Sequence, residues 1–302
     1  MIAFLVIIPI AGRAQQRILL AEQAGQRIAI ADVATGNIIW EWRPSISNVD
    51  SVYWKWFSNP SDVKPVYDGK YILITASGGG VALIRMADRK TLFYAYAGGN
   101  PHSAEILPDG NIVVASSSGN YLTVFRTDTL ATQAGTYRSR IYIDFGHNVV
   151  WDRKRQLLWS ADRHQLKTFR YNFDRTHPGL EPVDSMPLPG QQSHDLFPTL
   201  AGDTLWLTNT THVYKVDLAT RRLLPAETPQ KDVKSISSGP AGYPAILSIP
   251  QEQWWTDEIR DVKGNVLFKQ RGLKIYKARW LVTNTFSYPP GDDIPVIHLS
   301  GN

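Results

Sequence analysis

One supersecondary unit recurs along the chain, and that recurrence limits the fold more than any other feature. A short β-branched run leads into a tight turn. A second strand-like run, a polar loop and a third run follow. His102-Ser-Ala-Glu-Ile-Leu, Pro-Asp-Gly, Asn111-Ile-Val-Val-Ala-Ser and Tyr121-Leu-Thr-Val-Phe show the plan most plainly. The unit reopens at Lys64, His102, His147, His194 and Lys234, at intervals of 38, 45, 47 and 40 residues. A four-stranded propeller blade repeats every ~40–50 residues. A β-sandwich would show short strands without such a unit, and helical periodicity is nearly absent.

The ends supply the missing blade. Residues 17–43 hold three strand-like runs with no opening one, and Leu273 to Trp280 offers an opening strand with no successors. Joined, they close a ring and remove two exposed sheet edges. The expected fold is all-β: a six-bladed β-propeller of four-stranded blades, closed by the N- and C-terminal strands, as a single domain over 17–302. Seven blades is the alternative, with a degenerate blade hidden in 44–60.

Residues 1–16 stand apart. MIAFLVIIPIAG is too short to span a bilayer and reads as the apolar core of a secretory signal, with Gly12 and Ala14 before a cleavage point. An exported, periplasmic or extracellular protein with no transmembrane segment is expected, acting as a monomer. Cysteine is absent, which excludes disulfides, thiolate metal centres and thiol nucleophiles. A net charge of +5 is too small to argue for nucleic acid, so no nucleic-acid partner is expected.

Three strings, GGNPHSAEILPDGNIVVASS (98–117), HNVVWDRKRQLLW (147–159) and SHDLFP (193–198), resemble an exported bacterial propeller family of uncharacterised function. The resemblance implies the fold and no activity. Asp32-Val-Ala-Thr-Gly-Asn-Ile-Ile-Trp40 also resembles the blade motif of quinoproteins, in which the Trp docks neighbouring blades. It occurs cleanly once, so no quinone is implied.

The first strand of each propeller blade lines the central channel, an inference by fold analogy. The residues that open the units are Lys64, His102, His147, His194, Lys234 and, in the split blade, Lys277. Side-chain alternation adds Arg279 to the channel. Such a ring would focus positive potential at one mouth. It points to an anionic small molecule or oligosaccharide, most plausibly an acidic carbohydrate, with Lys64, Lys234, Lys277, Arg279 and Glu22 as ligand-binding residues. A lyase acting on uronate sugars is the second reading, with His102, His147 or His194 as base. The same three histidines are candidate ligands for a divalent metal, although no cofactor is required. A non-catalytic protein-interaction scaffold is the third. Trp54, Trp56, Trp254 and Trp255 would suit stacking on sugar rings or packing between blades.

Overall fold

The computed structural model describes residues 16–127, 138–190, 192–226 and 228–295. The expected signal segment, apart from Gln16, and His298 lie outside them. Among the described residues, twenty-four strands form six four-stranded antiparallel sheets. Alternating apolar residues on strands such as Tyr71–Ala76 (β5) and Ile112–Ser116 (β9) are buried on both faces, because each sheet packs between two others. Blade 1 is the composite one. Ile275–Trp280 (β24) pairs with Arg17–Glu22 (β1), which continues through Arg27–Asp32 (β2) and Asn37–Trp42 (β3). The ring is thus closed by both ends of the chain, and blades 2 to 6 follow in chain order, with inner strands Pro60–Val66 (β4), Pro101–Ile106 (β8), Val150–Asp152 (β12), Asp195–Pro198 (β16) and Ser235–Ser237 (β20).

The seventh-blade alternative fails on residues 44–60. They form two 3₁₀ segments, Pro44–Ile46 and Ser51–Phe57, and no strand before Pro60 opens β4. Asp50 accepts from the Val52 N–H at 3.1 Å and starts the longer segment. The quinoprotein-like motif is a packing device: Asp32 holds its turn through the Thr35 N–H, and the Trp40 indole donates to Met86 O in blade 2 at 3.1 Å.

Residues 281–295 form no strand and cross the end of the channel opposite the histidines. Phe286 packs on the blade 5 cluster, and Tyr288 stacks on Tyr67 with ring centroids 4.7 Å apart and donates to Glu105. Asp293 accepts from the Tyr71 hydroxyl at 2.7 Å. The channel is therefore covered at that end by the chain's own tail.

Candidate functional site

Strand pairing decides which residues share a level of the channel. In blade 3, Pro101 pairs with Ser116 and Ser103 with Ala115, so His102 is the extra residue of a β-bulge. The same bulge lies in blade 2 at Ser61, between Pro60↔Ala76 and Asp62↔Thr75, and in blade 1 at Tyr276, between Ile275↔Glu22 and Lys277↔Ala21. His194 and Lys234 donate their backbone N–H to Thr208 O and Ser248 O, just ahead of the equivalent pairs Asp195↔Thr208 and Ser235↔Ser248. The level is therefore Ser61, His102, His147, His194, Lys234 and Tyr276. Lys64 and Lys277 belong deeper, by three residues and one respectively. Bulges of this kind re-aim a side chain at the rim of a closed sheet.

A second device repeats with it. Asn59, Asn100, Phe145, Gln192 and Asp232 sit two residues before the level and adopt φ of 52°, 59°, 55°, 58° and 54°. This left-handed backbone is uncommon for residues with a side chain and is costly for phenylalanine. At Asn100 and Phe145 it turns the residue's own carbonyl back on the ring two positions on. Asn100 O lies 2.9 Å from His102 Nδ1, and Phe145 O lies 2.9 Å from His147 Nδ1. Each Nδ1 is thereby the donor, and each Nε2 the acceptor. Among the described residues, no protein group bonds to either Nε2.

The rings meet across the channel. Centroids are 4.4 Å apart for His102 and His147, 5.4 Å for His147 and His194, and 5.4 Å for His102 and Tyr276. The Lys234 ammonium donates to His194 Nε2 at 3.0 Å, so the proton of that ring is on Nδ1. That buried N–H has no acceptor among the described residues, an arrangement that costs ~1–3 kcal/mol. The three histidines are only 6%, 3% and 7% exposed. Burial pushes His102 down to about 4, with nearby Lys277 adding to the effect. Burial and the neighbouring positive groups hold His147 and His194 well below the usual range. All three imidazoles are neutral at pH 7. Among the described residues, no three His, Asp or Glu side chains are arranged to hold a metal ion.

The next layers are charged but internally balanced. Arg279 makes a bidentate pair with Asp195, 2.6 Å on both arms, and reaches Asp62 at 3.2 Å. Lys277 donates to His102 O at 3.1 Å and to Asp195 at 3.4 Å. Lys64 bonds Glu105 at 3.1 Å and Val149 O at 2.7 Å. Three cations thus face three carboxylates, all at most 2% exposed. Burial alone would push Asp195 up, but Arg279 and Lys277 more than offset it and hold the carboxyl low. Burial drives Glu105 up despite Lys64.

The structure therefore brings His102, His147, His194 and Lys234 together at one level and encloses Lys64, Lys277 and Arg279 in ion pairs beneath it. It does not bring Glu22 to Lys277. The Glu22 carboxylate accepts from the backbone N–H groups of Ala24, Gly25 and Lys274 and from Arg27 Nε, fixing its own hairpin. Asp162 and Asn209 hold the corresponding turns. Lys234 is half-buried, and no carboxylate lies within 4 Å of its Nζ among the described residues. Burial pushes its ammonium down and Asp232 partly restores it. The alignment on basic residues missed Tyr276 and the three carboxylates. Asp195 directly follows His194, and Glu105 lies in the same strand as His102, so the strings that carry the histidines also carry two of the carboxylates that pair with the channel cations.

A family model matches residues 9–297. The chain belongs to DUF6528, a family of unknown function. No curated protein matches it. Among solved structures, it is similar to a protein of unknown function from Bacteroides caccae, with 15% identity, 88% of this chain and 98% of that chain covered, and a TM-score of 0.58. It is also similar to the β-propeller domain of Cps50 (Swd1) from Myceliophteria thermophila, with 14% identity, 87% and 88% covered, and a TM-score of 0.53. At these identities the likeness concerns the fold alone. Among the described residues of this DUF6528 chain, no helix is long and apolar enough to cross a membrane.

Proposed function

We propose that this propeller is exported and binds an acidic carbohydrate at the histidine end of its channel. One observation carries the reading: two neutral imidazole acceptors, His102 and His147, share a level with Lys234, whose ammonium has no carboxylate within 4 Å among the described residues. Sugar hydroxyls donate to Nε2, and a carboxylate meets the ammonium. The orphan His194 N–H supplies a further donor. Lys64, Lys277, Arg279 and Glu22 drop out of direct binding because their charges are already paired inside the protein.

Binding is favoured over elimination. An imidazole pushed down to about 4 is a weak base at neutral pH. Calorimetric titration with galacturonic acid and its oligomers tests the proposal. Lys234→Met is expected to weaken binding at least about tenfold. Added salt should weaken it too, and no ultraviolet-absorbing unsaturated product should form. Binding that ignores Lys234→Met, or no binding to the wild type, overturns the proposal. Unsaturated product would put the lyase reading first.

A further inference from the structure

The loop between Ile246–Ser248 (β21) and Glu258–Asp261 (β22) leaves the same end of blade 6 at which Lys234 enters it, since Ser248 O accepts the Lys234 N–H. That loop carries Trp254 and Trp255. Their surroundings differ from those of the fully buried tryptophans; Trp54, 40% exposed with its indole N–H on Val49 O, is the other exposed tryptophan among the described residues. Trp42, Trp151 and Trp280 are fully buried, as expected for packing between blades, and Trp56 is packed against the blade 2 core. Trp254 is 48% exposed.

Exposure does not leave it loose. Its indole N–H donates to Gln23 Oε1 at 3.1 Å, and its ring stands edge-on to Trp255, with centroids 4.9 Å apart and planes at 88°. Trp255 is held in turn by the Lys274 ammonium, 4.3 Å from its ring centroid. Gln23 is buried and ties this corner to the channel. Its Nε2 donates to Pro60 O at 3.1 Å, one residue before Ser61, and its backbone N–H donates to Lys274 O, two residues before Tyr276. Trp254 is thus fixed by hydrogen bonds running to two of the six strands that form the histidine level. A large flat ring, half exposed and held at its indole N–H, offers the C–H face of a pyranose a contact that needs little further ordering.

We propose that Trp254 is a second subsite, stacking a sugar ring of an oligosaccharide whose charged unit lies at Lys234 and the histidines. This inference rests on the binding reading above and extends it: the ligand is a chain of several uronic acid units, not a monosaccharide. Gln251 and Glu252 close the same turn, both backbone N–H groups donating to Trp255 O.

The experiment is a length series. Mono-, di-, tri- and tetragalacturonic acid are titrated into the wild type, Trp254→Ala, Trp254→Phe and Lys234→Met. For the wild type, affinity should rise about tenfold or more between the monomer and the longer chains. Trp254→Ala should flatten that rise while leaving monomer affinity unchanged, and Trp254→Phe should retain most of it. Lys234→Met should weaken every length alike. A measurement that needs no folded variant runs in parallel: in 5-fluorotryptophan-labelled wild type, one exposed indole resonance should shift with the tetramer and not with the monomer. A length dependence identical in the wild type and Trp254→Ala, or no indole shift, overturns the subsite and leaves the binding reading standing. No binding of any uronide to the wild type removes both.

Discussion

Acidification tests the histidine layer directly, because burial has depressed three imidazoles that are free to protonate in the unfolded chain. For a histidine whose folded pKa is below its unfolded one, the stabilising contribution is complete above the unfolded value and is lost as pH falls toward the folded value. For His102 that window runs from the ordinary 6.5 down to about 4. Each unit of pH inside it costs ~1.4 kcal/mol per histidine. Between pH 7 and pH 5, His102 alone should therefore remove about 2 kcal/mol. His147 and His194 shift in the same direction and steepen the slope. Glu105, raised by burial, works the opposite way below its own folded value. The Asp195 contribution is lost only at lower pH, since Arg279 holds that carboxyl below its usual range. Urea unfolding midpoints at half-unit steps from pH 7.5 to 5, multiplied by the measured m-value, give the slope. Unfolding should take up at least one proton near pH 5.5, and His102→Asn should reduce that number by about one. A flat profile over this range, or a His102→Asn slope equal to that of the wild type, would refute the placement of a neutral, desolvated ring at this level.

Two further substitutions probe the layers beneath. Asp195→Asn keeps the shape but leaves Arg279 and Lys277 sharing Asp62, and it should destabilise by ~3–5 kcal/mol in urea titrations. A loss under 1 kcal/mol would mean that the pair is solvated. Tyr288→Phe withdraws the hydroxyl from a buried Glu105 and should cost ~1–3 kcal/mol, with faster amide exchange over residues 281–295 as a second readout.

The blade count was legible because it depends on local chemistry. Asp-Gly and Thr-Gly turns between β-branched runs mark hairpins without reference to the rest of the chain. The composite blade followed from the same logic, since one end had three strands and the other had one. The level of each residue in the channel was not legible. A bulge adds one residue to an inner strand without changing the turn signals around it, so spacing cannot reveal that Ser61 and Tyr276 stand level with His102. Matching residues by charge aligned Lys64 and Lys277 with the histidines and overlooked the carboxylates opposite them. The left-handed residues were hidden for another reason. Asn59, Asn100 and Asp232 are of a type that signals this backbone, whereas Phe145 and Gln192 are held there by tertiary context. The tail over 281–295 carries no periodicity, because it is fixed by single contacts such as Tyr288 to Glu105.

The excess of positive charge in the composition does not reach the channel. Three of the four channel cations are cancelled by Asp62, Glu105 and Asp195, so the field at the histidine level comes chiefly from Lys234. A ligand recruited there meets one charge and several directional acceptors. Its affinity should fall with salt as expected for a single ion pair, and its selectivity must come from where its hydroxyls point. The buried pairs serve a different end. Each charge on β24 is satisfied by a carboxylate from another blade, Asp62 in blade 2 or Asp195 in blade 5. The strand that closes the ring is thus anchored across the axis as well as at its edge. Residues 281–295 cross the opposite end, so the proposed ligand is expected at the histidine end. That end is the one where β-bulges re-aim side chains into the channel and where the His194 N–H lacks a protein acceptor among the described residues.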